Sequence, residues 1–248
     1  MREETVFDLI NPEGRSPVVL TCEHASCEVP AEYQGLGISK EEIRRHIGWD
    51  IGARAVVEAL ALALDAPAVC SRYSRLLIDC NRDLSDHDLI VPASDGTRIP
   101  GNQNLSIEER HKRIVQFYQP YHEAIDRLIS TKETGTLTLL SIHSFTPVLS
   151  KSERKFDLGI LFDRYEELAQ EVGQRLHHCG YKVHDNEPYS GYDGLIFSAR
   201  SHGERHRVVY LEIEINNSLI ADPERAAQIG KTMGTMFQEI FPSRIGKH

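Results

Sequence analysis

The chain is expected to form an α/β fold: a mixed, mainly parallel sheet with helices on both faces. Short apolar, β-branched runs alternate along its 248 residues with amphipathic stretches of helical period. Several of those runs are apolar at consecutive positions, as strands covered on both sides are. No linker-like composition shift interrupts the pattern, so residues 1–248 are read as a single domain.

The elements follow in order. Residues 17–22 are a first buried strand, and 23–28 the loop at its end. Ser39 with Glu42 forms a capping box for a short helix. Asp50 is placed to start the next helix, whose apolar face runs through Ala53, Val56, Ala59, Leu60 and Ala63, with Gly48 and Gly52 tightening the joint. Segments 66–70 and 76–80 read as neighbouring strands that bring Arg72, Arg75, Asn81 and Arg82 to one region. Residues 83–104, rich in Asp, Pro, Gly and Ser, form a long loop of the kind that usually serves a site. Ser106 with Glu109 caps a helix carrying Ile114, Phe117, Tyr121, Ile125 and Leu128 on one face. Residues 137–142 are a strand, 157–162 another, and 165–179 a helix stopped by Gly180. A short strand (181–184), a loop (185–193), a strand (208–215) and a helix opened by Asp222-Pro223 complete the chain.

Composition narrows the function. A formal charge of -9 with scattered basic residues opposes nucleic acid as a partner. The N-terminus lacks the basic-then-apolar layout of a signal peptide, and no apolar run approaches the roughly 20 residues that span a bilayer. The expectation is a cytoplasmic protein with no membrane partner. Five cysteines without paired CxxC spacing imply reduced thiols. GxSxG, P-loop and GxGxxG motifs are absent, so serine-hydrolase and nucleotide readings lack support.

The informative residues stand where apolar runs end. His24 follows the first strand and His143 lies in Ser141-Ile-His-Ser-Phe145, so two imidazoles can be aimed from rigid strands into one cleft. A third ligand is open among Asp50, Glu28 and His46, and spacing alone makes Asp50 a helix cap. Glu212 and Glu214 share a strand face; Glu214, nearer the carboxyl end, is the stronger choice of general base. Arg72, Arg75 and Arg82 cluster near strand ends, and Asn81-Arg82 best suits a clamp on a substrate carboxylate. Imidazoles, carboxylate and guanidinium together are what zinc-assisted hydrolysis of an acidic amide requires. Two rivals use the same residues: a non-catalytic binding protein for an acidic metabolite, and a metal-dependent esterase or peptidase.

Seven motifs carry a resemblance. They are Glu23-His-Ala-Ser26, His46-Ile-Gly-Trp-Asp50, Ser74-Arg-Leu-Leu-Ile-Asp-Cys-Asn-Arg82, Asp95-Gly-Thr-Arg-Ile-Pro-Gly-Asn102, His143-Ser-Phe-Thr-Pro147, Asp185-Asn-Glu-Pro-Tyr-Ser-Gly191 and Glu212-Ile-Glu-Ile-Asn216. In this order the chain resembles the N-formylglutamate amidohydrolase family. The resemblance implies a zinc-carboxypeptidase-like (phosphorylase/hydrolase-like) fold and one Zn2+ held by His24 and His143. It also raises Asp50 above its cap reading as the third ligand. It implies further that Asn81 and Arg82 bind the substrate carboxylate and that Glu214 activates water. Beside the resemblance, Arg75 joins the substrate-binding set from its place near a strand end, and Tyr189 as a lid residue in a Gly- and Pro-rich loop. The implied substrate is N-formyl-L-glutamate or a similar small acidic N-acyl amino acid. Two departures stand out: Glu28 lies four residues after His24 where carboxypeptidases place a glutamate at three, and Asn216 occupies the position of a family arginine.

Overall fold

A computed structural model describes residues 5–132, 137–149 and 152–241. Its strands are β1 (Phe7–Ile10), β2 (Val18–Cys22), β3 (Ala68–Ser71), β4 (Thr138–Phe145), β5 (Leu158–Leu161), β6 (Val183–Asp185) and β7 (Val209–Asn216), in the sheet order β1-β3-β2-β4-β7-β5-β6. Strands β3, β2, β4 and β7 run parallel. The β5–β6 pair is also parallel but lies antiparallel to β7, and β1 is an antiparallel edge, so the sheet is mixed and mainly parallel.

The helices are α1 (Lys40–Ile43), α2 (Ala53–Leu64), α3 (Ile107–Arg113), α4 (Gln119–Ser130), α5 (Glu166–His178), α6 (Phe197–His206), α7 (Asn217–Ile220) and α8 (Pro223–Ile240). Alternation along each strand sends residues to two cores. Leu20, Leu140 and Ile213 pack against apolar side chains of α2, α5 and α8; Val19, Leu139 and Tyr210 face the side covered by α4 and α6.

The second face changes character towards the carboxyl ends of the strands. The aligned row Val19–Leu139–Tyr210 is apolar. The next row, Thr21–Ser141–Glu212, is polar, and beyond it His143 lies beside Glu214. A site is thus built where the core layer would otherwise continue, beyond the carboxyl ends as open α/β sheets favour.

Three expectations need correction. Segment 76–80 is not a strand but a buried turn: Leu77 N–H donates to Ser74 O, Asp79 N–H to Leu89 O, and Arg82 N–H to Asp79 O. Both edges of β3 are already taken, by β1 and β2, so no ladder position remains beside it. The loop 83–104 contains 3-10 turns at His87–Ile90 and Pro100–Asn102 and a two-residue ladder of Ala93–Ser94 with Thr97–Arg98. Asp50 does not cap α2; Gly52 holds that position at φ 84, and a Cβ there would lie 2.0 Å from Ile220 O. The Asp50 carboxylate is released for other partners.

Arg113, only 2 % exposed, ties the long loop to α3. It donates to Leu77 O, Gly101 O, Asn102 Oδ1 and Glu109 Oε1. Replacing it strands buried acceptors. Arg113→Leu is expected to lower unfolding stability by about 3 kcal/mol, read from urea denaturation midpoints, because the ladder within 76–104 is just the two-residue pairing of Ala93–Ser94 with Thr97–Arg98 and does not join it to the main sheet.

Candidate active site

A cleft of about 420 Å³ opens over the carboxyl ends of β2, β4 and β7; its lining includes His24, Asp50, Arg75, Asp79, Asn81, Arg82, His143, Tyr189, Glu212 and Glu214. The rigid supports differ. His24 sits just past β2, while His143 and Glu214 lie within β4 and β7. Asp50 comes from the tight turn before α2, where its backbone N–H donates to His24 O.

The imidazoles share one arrangement. His24 Nε2 pairs with Asp79 Oδ1 at 2.7 Å, leaving Nδ1 facing Asp50 Oδ1 at 3.5 Å. His143 Nε2 pairs with Glu23 Oε2 at 3.0 Å, and its Nδ1 lies 2.8 Å from Asp50 Oδ2. Each ring is therefore oriented by a carboxylate behind it and turns Nδ1 towards the same aspartate, with the rings edge-on at 4.7 Å. The Ser144 backbone N–H donates to Asp50 Oδ2 and fixes that carboxylate.

The supporting carboxylates are themselves held. Glu23 accepts from Ser141 Oγ, Ser198 Oγ and Tyr121 OH. Burial opposes its charge, but His143 and these hydroxyls hold its carboxyl well below the usual range. Asp79 accepts at Oδ2 from Arg75 Nη2 at 2.6 Å and Nε at 3.1 Å. Against its burial, Arg75 and then His24 keep that carboxyl low too.

The two glutamates of β7 are buried, not solvated. Glu212 accepts from Asn81 Nδ2 at 3.2 Å and stands 3.6 Å from His143 Nε2. Glu214 Oε2 is buried without a hydrogen-bond partner. Burial pushes the Glu212 carboxyl up to about 7 and the Glu214 carboxyl up to about 8. Both are thereby brought near the pH at which a carboxylate exchanges protons readily.

Donors fit a metal ion on this structure's own terms. His24 Nδ1 and Glu214 Oε2 are both buried without a hydrogen bond, although buried polar atoms are normally hydrogen-bonded. Five buried acidic side chains (Glu23, Asp50, Asp79, Glu212, Glu214) converge here with Arg75 and Arg82 lining the same cleft, a concentration of carboxyl groups that a bound cation favours in the ionised form. Ligand atoms of His24, Asp50 and His143 lie within 4.8 Å of one another, forming a candidate metal site of two imidazoles and a carboxylate.

Other predicted residues separate. Arg82 lines the cleft, with Nη1 donating to Asn81 O. The Asn81 side chain also lines it but is already engaged, with Leu195 O and Glu212 as acceptors and Ser198 N–H as donor. Arg72 lies outside the cleft, beside Asp8 and donating to Thr5 O. Glu28 is exposed and is not among the lining residues, whereas His46 stands in the lining 3.4 Å from Asp95. Asn216 is buried and caps α7, accepting from Ser218 N–H while donating to Phe156 O. Sequence reading assigned no part in the site to Glu23, Ser141, Ser198, Arg154 or Tyr121, the last placed only on a helix's apolar face; the one available signal was Glu23 itself, an acid at a strand's end.

Comparison with known proteins now decides the family. A family model described as N-formylglutamate amidohydrolase matches residues 16–221. The chain belongs to that family. As a member of the N-formylglutamate amidohydrolase family it is a hydrolase acting on an amide. A solved structure, the gene product Atu2144 from Agrobacterium tumefaciens, is 32% identical with a TM-score of 0.89, covering 96% of this chain and 97% of that one. An N-formylglutamate amidohydrolase from Ralstonia eutropha JMP134 is 22% identical with a TM-score of 0.76, covering 95% and 97%, and shares the fold. A comparison with curated proteins finds no match. Among the described residues, no helix is long and apolar enough to cross a membrane.

Proposed function

We propose that this amide hydrolase is zinc-dependent and cleaves N-formyl-L-glutamate or a similar small acidic N-acyl amino acid, giving the free amino acid and formate or another carboxylate. The observation that carries the reading is a pair of buried atoms without a hydrogen-bond partner in one cleft: His24 Nδ1, which faces Asp50 Oδ1 at 3.5 Å, and Glu214 Oε2.

His24, Asp50 and His143 would hold the metal through Nδ1, a carboxylate oxygen and Nδ1. When bound, zinc supplies Lewis acidity towards the amide carbonyl and lowers the pKa of water at the site. The remaining work belongs to side chains. Glu214, with a free oxygen in the cleft, takes the proton of the attacking water and returns it to the departing amine nitrogen. Glu212 is the weaker base because Asn81 already occupies one of its oxygens.

Arg82 receives the α-carboxylate of the substrate from the lining, and Asn81 acts by fixing the backbone beside it and Glu212. Arg75, 3.8 Å from Asp50 and locked on Asp79, stands where charge develops on the carbonyl oxygen. Asn216 offers no anchor for a second carboxylate, since capping and Phe156 occupy it. Arg154 is the candidate for that anchor: it is not itself a lining residue, but its guanidinium, whose Nη1 donates to Thr146 O, lies over the rings of Tyr189 and Phe145, both of which line the cleft.

The test is metal analysis of the purified protein combined with turnover of a panel of N-formyl and N-acetyl amino acids. One zinc equivalent at the cleft and a preference for acidic amino acids support the reading. Hydrolysis that survives complete chelation, or a preference for basic amino acids, overturns it.

A further inference from the structure

A second cluster of metal-ligating side chains lies outside the cleft. It borders a cavity of about 400 Å³ whose lining, including Tyr118, His122, Asp126, Phe197, His202 and Arg205, shares no residue with the first site. Two helices build it. Helix α4 presents His122 and Asp126, and α6 presents His202 and His206, each pair four residues apart and so on one helix face.

Asp126 Oδ1 lies 2.7 Å from His202 Nδ1 and 2.7 Å from His206 Nε2. Its other oxygen accepts from Arg205 Nη1 at 2.5 Å, which orients the carboxylate and leaves Oδ1 for the imidazoles. Behind His202, Nε2 pairs with His122 Nδ1 at 2.8 Å. With His202 Nδ1–H donating to Asp126, His202 Nε2 accepts from His122 Nδ1–H. His122 Nε2 is then a lone pair, and that atom is buried without a partner beside the cavity.

We propose that Asp126 Oδ1, His202 Nδ1 and His206 Nε2 form a second divalent-metal site, selective for borderline transition cations such as Zn2+, Co2+ or Ni2+, with solvent completing the coordination. Two imidazoles and one carboxylate suit these ions rather than Mg2+ or Ca2+. All three ligand atoms lie within 4.8 Å of one another. Tetrahedral bonds of roughly 2.0–2.1 Å separate ligand atoms by about 3.3 Å. Exchanging the shared protons for an ion therefore asks each 2.7 Å contact to open by roughly half an ångström. Asp126, 25% exposed, and His206, 16% exposed, have room to do so. His122 then accepts from His202 Nε2–H, the outer bond that fixes a ligating imidazole.

The site has a structural consequence. Both helices also hold Glu23, through Tyr121 on α4 and Ser198 on α6. An ion bridging Asp126 to His202 and His206 clamps those helices together behind the catalytic cleft, so its signature is stability rather than turnover.

The experiment compares full-length wild type with His206→Gln and Asp126→Asn by equilibrium dialysis against micromolar Zn2+, with Co2+ absorption and thermal unfolding as second readouts. Wild type should retain one equivalent more than either variant, with zinc affinity at that site falling at least tenfold. The zinc-induced rise in Tm should shrink in the variants, while amide hydrolysis is unchanged. The difference of one equivalent holds whether or not the cleft binds metal, so it stands apart from the reading of the first site. Two variants of different position guard against a folding defect in one of them. Equal stoichiometry and equal zinc-induced Tm shifts in all three proteins overturn the proposal.

Discussion

Glu214→Gln is expected to reduce kcat for amide hydrolysis by about 10³-fold while the protein keeps its metal and its KM. Glutamine matches glutamate in size, and Glu214 sits where burial already favours the uncharged carboxyl, holding it up to about 8. Glutamine mimics that uncharged form and so opens no cavity and strands no ion, but it can never become the carboxylate that accepts the proton of water. Its Oε2 makes no hydrogen bond in the resting fold, so no network is broken elsewhere. Glu212→Gln is the control, because Glu212 accepts from Asn81 and stands beside His143. It should cost less in kcat and show its effect partly through KM and stability. Steady-state kinetics and metal content measured on both variants decide between them. Turnover retained in Glu214→Gln but lost in Glu212→Gln would transfer the role to Glu212. Substrate binding retained in Glu214→Gln with turnover gone would also separate an enzyme from a protein that only binds an acidic metabolite.

Legibility in the sequence followed the physical range of each signal. Strands β2, β4 and β7 are buried along nearly all of their length, β2 and the start of β4 as apolar runs and β7 as apolar residues alternating with Glu212 and Glu214, so they are readable from local pattern, and their final polar residues mark the cleft. The pairing of His24 with His143 is legible for the same reason, since one stands just past and the other near the carboxyl end of a buried strand. The supporting carboxylates are not. Asp79 reaches His24 across 55 residues, and Glu23 reaches His143 across 120, so no spacing rule connects them. Segment 76–80 misleads because its apolar residues are buried in a turn, and burial without a ladder looks the same in sequence as burial with one. Helix α6 carries Ser198, Arg200, Ser201, His202, Glu204, Arg205 and His206 among its ten residues, so its sequence shows no clear apolar stripe. The Asp50 cap reading fails through Gly52, whose close approach to Ile220 is a tertiary constraint that local propensity does not contain.

His143→Ala is expected to remove both the bound metal and the hydrolytic activity, the latter to background. Three separate roles converge on this ring. Its Nδ1 faces Asp50, its Nε2 accounts for Glu23, and Glu212 stands 3.6 Å away. Deleting it leaves buried carboxylates facing one another with a ligand missing, so metal retention should fail even at excess zinc. The same deletion threatens the fold, because a buried charge stripped of its partner costs roughly 3–5 kcal/mol. Asp50→Asn separates the two effects. It is nearly isosteric, keeps an oxygen for the Ser144 N–H, and lowers the negative charge of the cluster. If the three donors hold the ion, Asp50→Asn should unfold close to the wild-type temperature yet lose most of its cleft-bound metal and its turnover. Metal analysis, thermal unfolding and amide hydrolysis on the two variants measure these outcomes together. A folded Asp50→Asn or His143→Ala protein that hydrolyses the amide without bound metal would remove the cation from the reaction and leave Glu214 and Arg75 to carry it alone.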